Sequence, residues 1–489
     1  MNEDEHIDHA CGASVGRRNF MTGCGSAAAI AVAGLGVGTA GAQEVPPPGD
    51  IEELLDGLPD NWGRWGDDDE IGALNLLGSE ETYAGMEAAM RGGPENVEEF
   101  TLQLPMTGDA IESVIDEEVD VSQDSGDPLY PPRTPARRDN TADATTVDEA
   151  EVEAVAGVKS SDDAFSTKFF LHGTTHIDAL GHVWYEDQVY NGYDEMTSAE
   201  VKEFDRPVPG LDAEGNAIDV TETRGHSDAG VGPLAASGIS GRGVLLDVGR
   251  HMGDDENGWL DLGEPVTLPD LLETAEAQGV ELRERDIILI RTGGVERAID
   301  PDAEWGPDAE PGLRFSEELV EWVHDMEIPL IGADNIAVEK LVQIIDDELF
   351  VVPLHGALLR DLGVSLNEIL WLEELADQCA EDGIYDFLYT AAPLHIERAT
   401  GAPANPVVIK ATDEAPPEEN DEPDDEPNDN ETNDDEPDDE PDDDPDDETP
   451  EPTPTPEDVD DQVGPGALGG AAALGGAYLL KRRLENEET

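Results

Sequence analysis

The segment from His172 to His182 constrains this chain more than any other part of its sequence. It reads His-Gly-Thr-Thr-His-Ile-Asp-Ala-Leu-Gly-His and contains three of the 10 histidines of the protein. His172, His176, Asp178 and His182 stand at even offsets from one another, so an extended strand would project all four to one side. Two glycines and two adjacent threonines disfavour a helix here. We therefore predict an extended segment with these four side chains on one face.

This combination of side chains is typical of a metal site. Neutral imidazole nitrogens and carboxylate oxygens are the ligands that Zn²⁺ prefers, and they also suit Mn²⁺ and Fe²⁺. Two structural alternatives exist. A single histidine is usually a hydrogen-bonded, partly buried residue, and an acidic surface would explain Asp178. Neither alternative explains three histidines, and an apolar core would not tolerate four such groups unpaired. The segment therefore predicts part of a metal site, with one histidine more than that part of the site requires.

The composition restricts the partners of the protein. The chain has 489 residues, with 117 Asp and Glu against 26 Lys and Arg, and a formal net charge of −91. Phosphate backbones would be repelled by this charge, so we expect no nucleic acid partner, and anionic membrane surfaces are disfavoured as well. Such acidity resembles that of proteins from salt-loving archaea. In dilute buffer the charges would repel over a long Debye length, so we expect the fold to weaken at low salt.

Cysteine chemistry contributes little to this protein. The three cysteines are Cys11, Cys24 and Cys379, and the first two fall in the predicted leader described below. Neither a disulfide framework nor a cysteine-based metal cluster is therefore expected within one chain. Cys379 lies in a predicted amphipathic helix, where we expect a buried, inert thiol.

The N-terminus, residues 1–42, predicts export. Gly16-Arg-Arg-Asn-Phe-Met21 precedes a weakly hydrophobic run rich in glycine and alanine, which resembles a twin-arginine signal peptide. An ordinary Sec signal or an N-terminal anchor is the alternative. Cys24 follows the arginines too closely to leave a full apolar core before it, so lipidation is not expected.

The C-terminus predicts attachment to the cell surface. Residues 411–461 are rich in Asp, Glu and Pro, and we expect an extended, disordered spacer. Residues 462–489 contain a short apolar run followed by Lys481-Arg-Arg483, which is typical of a membrane segment with its basic end in the cytoplasm. This segment also resembles haloarchaeal sorting tails, which are cleaved and replaced by a lipid, so both processing and retention stay open.

Residues 51–410 predict one α/β domain, because hydrophobic strands alternate with helical stretches. The strand-like runs are 243–248, 286–291, 328–332, 349–353 and 385–389. The helical stretches are 268–278, 316–325 and 367–381. The polar stretch 109–163 predicts an elaborated loop or an insertion.

The histidine segment closely resembles the signature of the metal-dependent cyclase family, which includes bacterial kynurenine formamidase and isatin hydrolase. The resemblance extends over nearly the whole domain, and its other motifs are 61–75, 243–247, 291–293, 332–335, 355–368 and 391–394. Leu180 stands where shorter members have proline, as is usual in the longer branch of the family. The resemblance implies a single cyclase-family domain of the swivelling β/β/α-like type.

The same resemblance implies the remaining site residues. His172, His176 and Asp178 would bind one metal ion, and Asp178 could bridge to a second ion held by His355 and Glu368. His182 would remain free as the catalytic proton-transfer residue. From the residues alone, two structural alternatives stay open: Glu368 could favour a helix N-terminus electrostatically, and His355 could pack beneath a loop. The expected cofactor is one or two divalent ions, Zn or Mn.

The implied activity is metal-dependent hydrolysis of a small aryl formamide, amide or lactam. A divalent ion lowers the pKa of bound water to about 7, which supplies hydroxide to attack the carbonyl. A histidine such as His182, titrating near neutrality, would protonate the departing nitrogen. The aromatic residues Trp62, Trp65, Trp184 and Tyr185 could form a wall for an aryl substrate or anchor the core.

Two further functions stay open on the same fold. One is a surface-anchored metal- or ligand-binding protein without catalysis. The other is hydrolysis of a lactone or of an isatin-type ring. In each case we expect a small-molecule partner, a homo-oligomer and membrane attachment through the C-terminal segment.

Overall fold

A nine-stranded mixed sheet forms the centre of the computed structural model. The model describes residues 46–106, 138–142, 161–165, 169–211, 217–253, 257–300, 303–306 and 309–412. The predicted signal peptide and C-terminal membrane segment lie outside these ranges, as do all but the first two residues of the acidic spacer and most of the stretch 109–163. Within the described ranges, no helix combines the length and the apolar character that crossing a membrane requires.

The strands of the central sheet are named in chain order. They are β1 (Val97–Thr101), β4 (His176–Asp178), β7 (Ile239–Asp247), β9 (Ile287–Arg291), β11 (Leu330–Ala333), β14 (Ser365–Glu368), β15 (Asp386–Ala391), β16 (Gly401–Pro403) and β17 (Val407–Ala411). Their order across the sheet is β1-β17-β15-β7-β9-β11-β14-β4-β16. The middle strands β7, β9, β11 and β14 are parallel, and the outer pairs are antiparallel. The short strand β4 therefore lies near one edge, between β14 and β16.

The remaining strands form small two-stranded sheets. They are β2 (Arg138–Ala142) with β3 (Asp162–Phe165), β5 (Glu200–Leu211) with β6 (Ala217–Gly225), β8 (Pro265–Val266) with β10 (Gly312–Leu313), and β12 (Val342–Ile345) with β13 (Glu348–Val351).

Helices cover the sheet and connect its strands. They are α1 (Ile51–Leu55), α2 (Ser79–Met90), α3 (Val231–Ser237), α4 (Val248–Met252), α5 (Leu268–Gln278), α6 (Gly294–Ile299), α7 (Glu317–Asp325), α8 (Pro353–His355) and α9 (Glu373–Asp382). Helix α8 continues directly into a π-helical turn over Gly356–Leu362, and short 3₁₀ turns occupy Gly72–Leu76, Tyr190–Gly192 and Glu195–Ala199.

The parallel strands in the middle of the sheet are buried on both faces, and the strand period of two divides their side chains between two cores. In β9, Ile288 and Ile290 pack into one hydrophobic cluster with α5 and α7, whereas Ile287 and Leu289 pack into another with α9. Burial on both faces explains why β9 is continuously hydrophobic in sequence. Cys379 of α9 is buried in the second cluster as a free thiol, and burial raises its pKa, as expected for an inert cysteine.

The sequence prediction of a mixed α/β domain is confirmed, with differences in particular elements. Residues 349–351 of the predicted run 349–353 lie in the β12–β13 hairpin and not in the central sheet, and Pro353 begins helix α8. The predicted helix 367–381 is wrong at its start, because Ser365–Glu368 forms the buried strand β14 and the helix begins at Glu373. Pairing with β11 and β4 overrides the local helical pattern. Ile369, the residue after β14, has a φ of 57°, which neither a strand nor a right-handed helix allows, so the two elements are separate.

The extended segment predicted over residues 172–182 is also shorter than expected. Only His176–Asp178 forms a strand, and the residues on either side form turns. The glycines of the segment permit these turns, and the even spacing of His176 and Asp178 still places both side chains on one face.

A buried ion network joins the ends of the parallel strands. Arg291, the last residue of β9, donates to both carboxylate oxygens of Glu296 at 2.8 and 2.6 Å. It also donates to Asp247 of β7 at 2.9 Å. Asp334, which follows β11, accepts the backbone N–H groups of Thr292 and Gly293 at 2.7 Å each. The network fixes the loops at this edge of the sheet.

Removing Arg291 should destabilise the fold strongly. Arg291→Met leaves buried carboxylates without their cation, so we expect a loss of about 3–5 kcal/mol in the free energy of unfolding. The matched control is Arg283→Met, since the Arg283 side chain is 55% exposed and meets the exposed Glu281 at 3.4 Å. That pair should contribute at most about 1 kcal/mol. Denaturant titration at constant salt measures both changes, and equal losses would show that the buried network has no special role.

Candidate metal centre

The register of β4 brings the candidate ligands together. His176 is directly opposite Glu368 of β14, and Asp178 is directly opposite Gly401 of β16. Opposed residues of paired strands share a face, and so do residues two apart in one strand. His176, Asp178 and Glu368 therefore project to the same side, where all three are buried.

Five side chains converge at this point and form two overlapping groups. In the first group, Asp178 Oδ1 lies 2.9 Å from His172 Nδ1 and 3.2 Å from His176 Nε2. In the second group, His355 Nε2 lies 3.2 Å from Glu368 Oε1 and 3.9 Å from Asp178 Oδ2. Within each group all ligand atoms lie within 4.8 Å of one another, so each could hold a metal ion. Asp178 belongs to both groups, in the position expected of a bridging carboxylate.

The buried carboxylate oxygens lack hydrogen-bond donors and are suited to bind a cation. Within the described part of the chain, neither oxygen of Asp178 has a hydrogen-bond donor, and the same is true of Glu368 Oε1. His176 Nε2 is also buried without a hydrogen-bond partner there. Unpaired buried charge is costly, and a divalent cation in each ligand group would satisfy these atoms. Nitrogen and oxygen donors of this kind suit Zn²⁺, Mn²⁺ or Fe²⁺.

In each histidine of the first group, the ring nitrogen that faces away from Asp178, here called the outer nitrogen, has a polar neighbour that orients the ring. His176 Nδ1 lies 2.8 Å from the Thr174 carbonyl oxygen, which can only accept, so Nδ1 carries a proton and Nε2 is the nitrogen that would bind a cation. His172 Nε2 lies 3.0 Å from the Thr400 hydroxyl, with Nδ1 turned toward Asp178. Both rings are thereby oriented for metal binding.

Protonation competes with metal binding at this site. Burial lowers the pKa of His176, but the nearby carboxylates of Asp178 and Glu368 outweigh burial and raise it to about 9. Burial also opposes the charged form of His355, yet Glu339 and Glu368 raise its pKa well above the ordinary value. Without a cation, the imidazoles of His176 and His355 are therefore positively charged at neutral pH. Their charge takes the place of the charge that a metal ion would supply.

His182 lies beside the ligands without joining either group. Its ring stacks on that of His172, with 4.3 Å between the centroids and 22° between the planes, and its centroid lies 6.4 Å from that of His355. Burial, together with the charges of His172 and His355, lowers the pKa of His182 to about 3 against the opposing effect of Asp178. The expectation that it titrates near neutrality is therefore wrong, and in the cation-free fold its ring is neutral at pH 7.

The structure thus brings together all six residues named from the sequence. Neither structural alternative describes the two distant ones, because Glu368 ends a strand and His355 faces the shared carboxylates. Thr400, Gly401 and Glu339 were not predicted. Their signal in the sequence is weak, since each acts through a tertiary contact and no short motif marks it.

The four aromatic residues that the sequence analysis names serve as anchors of the core. The Trp62 indole donates to the Arg360 carbonyl at 2.7 Å, and the Arg360 guanidinium lies 4.8 Å from the Trp62 ring centroid and 3.7 Å from that of Tyr185. Trp62, Trp65, Trp184 and Tyr185 are partly buried and pack against the larger core cluster. Their role as a wall for an aryl substrate stays a prediction.

Metal affinity should rise with pH between about 6 and 9, because a cation must displace protons from imidazoles such as that of His176. Because the pKa of His176 is higher in the folded than in the unfolded protein, its protonation stabilises the cation-free fold at low pH. That stabilisation is fully present below the unfolded pKa of about 6.5 and is lost as pH rises through about 9. Calorimetric titration with Zn²⁺ across this range measures the effect, and a flat affinity profile would contradict it.

Gly401→Ala should weaken metal binding. A Cβ at this position would lie 2.5 Å from His172 Cε1, so the imidazole would have to shift from its position beside Asp178. We expect a loss of about tenfold or more in metal affinity, in line with other changes that displace a ligand. The control is Gly232→Ala, whose Cβ would meet nothing closer than His395 Nε2 at 3.7 Å. Retention of full affinity in Gly401→Ala would show that the position of His172 is unimportant.

Comparison with known proteins places this chain in a family. The family model described as "Putative cyclase" matches residues 119–340. A solved structure described as a novel cyclase is 31% identical, covering 72% of this chain and 99% of its own, with a TM-score of 0.54.

More distant solved structures also match, whereas the curated proteins give no match. Isatin hydrolase A from Labrenzia aggregata, bound to benzyl benzoate, is 16% identical over 64% of this chain and 94% of its own, with a TM-score of 0.39. An isatin hydrolase bound to the product analogue thioisatinate is 16% identical over 68% of this chain and 100% of its own, with a TM-score of 0.41. The 31% identity to a cyclase that this chain covers almost completely is decisive: the chain belongs to the cyclase family.

Proposed function

We propose that the protein is a metal-dependent hydrolase that cleaves a small aryl formamide, amide or lactam. The observation that carries the proposal is the convergence of His172, His176, His355 and Glu368 on Asp178, whose buried oxygens lack a hydrogen-bond donor within the described residues. Membership of the cyclase family agrees with this assignment.

A divalent cation held by these residues would lower the pKa of a water molecule and polarise the carbonyl oxygen of a substrate. The protein's own contribution is geometric and electrostatic. The strand register fixes three of the ligands rigidly, and the buried surroundings strengthen every charge interaction at the site. Asp178 and Glu368 supply the negative charge that retains the cation.

His182 is suited to move the proton. Its ring is neutral at pH 7, and it lies against the ligand His172 but outside both ligand groups. We propose that a ring nitrogen of His182 takes a proton from the attacking water and then delivers it to the departing nitrogen. This is the proton-transfer role that the family resemblance implies for His182.

Export and anchoring at the cell surface are part of the proposal and rest on the terminal segments. Adaptation to high salt rests on the net charge of −91. Assays therefore belong in molar salt, where that charge is screened. N-formylkynurenine and isatin are the two probes, since one offers an open formamide and the other a lactam ring.

Asp178→Asn should abolish both metal retention and hydrolysis, because one ionised carboxylate serves both ligand groups. Metal content after gel filtration and turnover of both probes measure the two effects. Wild-type activity in this variant would overturn the ligand assignment. Wild-type protein that holds metal but hydrolyses neither these probes nor related lactones would instead favour a non-catalytic binding protein.

His182→Gln should separate catalysis from binding. We expect wild-type metal content with a turnover reduced by about 10²–10⁴, the usual contribution of a general acid or base. His251→Gln is the matched control, because His251 is exposed on α4 and lies in neither ligand group. Equal turnover in the two variants would remove His182 from the mechanism.

A further inference from the structure

Glu339 is a buried carboxylate directly behind the ligand His355. One of its oxygens, Oε1, accepts from His355 Nδ1 at 2.8 Å and from the His355 backbone N–H at 2.7 Å. The other oxygen, Oε2, accepts from the Leu354 backbone N–H at 3.0 Å and from Gln343 Nε2 at 2.7 Å. Four N–H groups point at the carboxylate, an arrangement that favours its ionised form, and each oxygen already accepts two hydrogen bonds.

This contact distinguishes His355 from the other two histidine ligands. The outer nitrogens of His176 and His172 contact a neutral carbonyl and a neutral hydroxyl. A hydrogen bond from an imidazole to a carboxylate is about twice as strong as one to a neutral acceptor. It also makes the opposite ring nitrogen a better ligand, and in His355 that nitrogen is Nε2, which faces Glu368.

The backbone around this contact is held in an unfavourable conformation. Val338, immediately before Glu339, has a φ of 56°, and Val352, immediately before α8, has a φ of 46°. The left-handed region costs roughly 1–2 kcal/mol for a residue with a side chain, and β-branched residues rarely adopt it. Strain of this kind persists where the surrounding contacts fix the chain, and it concentrates at functional sites.

We propose that Glu339 is a positioning residue that orients His355 and adds negative charge behind it, so that the group of Asp178, His355 and Glu368 binds a divalent cation tightly. This inference rests on the metal centre of the proposed function. It assigns Glu339 no contact with the cation or with substrate.

The experiment compares metal binding in four forms of the full-length protein in molar salt. Glu339→Gln keeps the size of the side chain and removes its charge. Glu310→Gln is the matched control, because Glu310 is equally buried nearby and accepts from the Ile336 backbone at 2.8 Å and the Trp305 indole at 3.0 Å without touching a ligand. The double variant Glu339→Gln/Gln343→Glu keeps the total charge and moves the carboxylate off His355.

The first readout is the affinity for Zn²⁺ and Mn²⁺ by calorimetry, with circular dichroism to confirm folding. We expect a 10–100-fold loss in Glu339→Gln, the usual effect of removing a partner of a metal-bound histidine. We expect wild-type affinity in Glu310→Gln and no rescue in the double variant. The visible absorption of the Co²⁺-loaded protein should change in Glu339→Gln alone among the single variants.

Three results would overturn the inference: wild-type affinity in Glu339→Gln, rescue by the double variant, or an equal loss in Glu310→Gln. If Glu339→Gln does not fold, Gln343→Ala supplies the test, since it loosens one anchor of Glu339 and leaves the contact with His355. A smaller but measurable loss of affinity would then support the inference, and wild-type affinity would oppose it. A wild-type protein that binds metal without hydrolysing any probe overturns the proposed function but leaves the role of Glu339 intact.

Discussion

The antiparallel pairing of β4 with β14 is the constraint on which the candidate site depends. It places His176 opposite Glu368 and, through the period of two, puts Asp178 on the same face. A slip of one residue would turn these side chains to the other face of the sheet. The pairing also buries two carboxylates within a few ångströms of each other. Their mutual repulsion makes the cation-free arrangement dependent on protons held by His176 and His355.

The rest of the fold makes this concentration of charge possible. Hydrophobic side chains on both faces of β9 and its neighbours form two cores that hold the sheet rigid. The ion network around Arg291 fixes the loops after the parallel strands, and Glu339 and Thr400 contact ligand histidines from two other parts of the chain. The ligands therefore belong to short, constrained elements whose positions are set by packing throughout the domain.

The sequence predicts the part of the site that is local. His172, His176, Asp178 and His182 are close in the chain, and their spacing alone indicates a shared site. His355 and Glu368 were assigned only through the family resemblance, because strand pairing across the sheet brings them to Asp178. The sequence of Ser365–Glu368 has no clear strand pattern and suggests a helix start at Glu368. In the structure, burial between paired strands makes this segment the strand β14. Glu339 was missed because nothing in its local sequence indicates a contact with His355.

Anomalous X-ray diffraction from crystals grown with Zn²⁺ or Mn²⁺ shows whether these side chains hold a divalent cation. We expect an anomalous peak about 2.0–2.2 Å from an oxygen of Asp178 and from at least two of the histidine nitrogens around it. Well-ordered crystals that show no peak there at saturating metal, with Asp178 bonded to water or to protein donors, would contradict it.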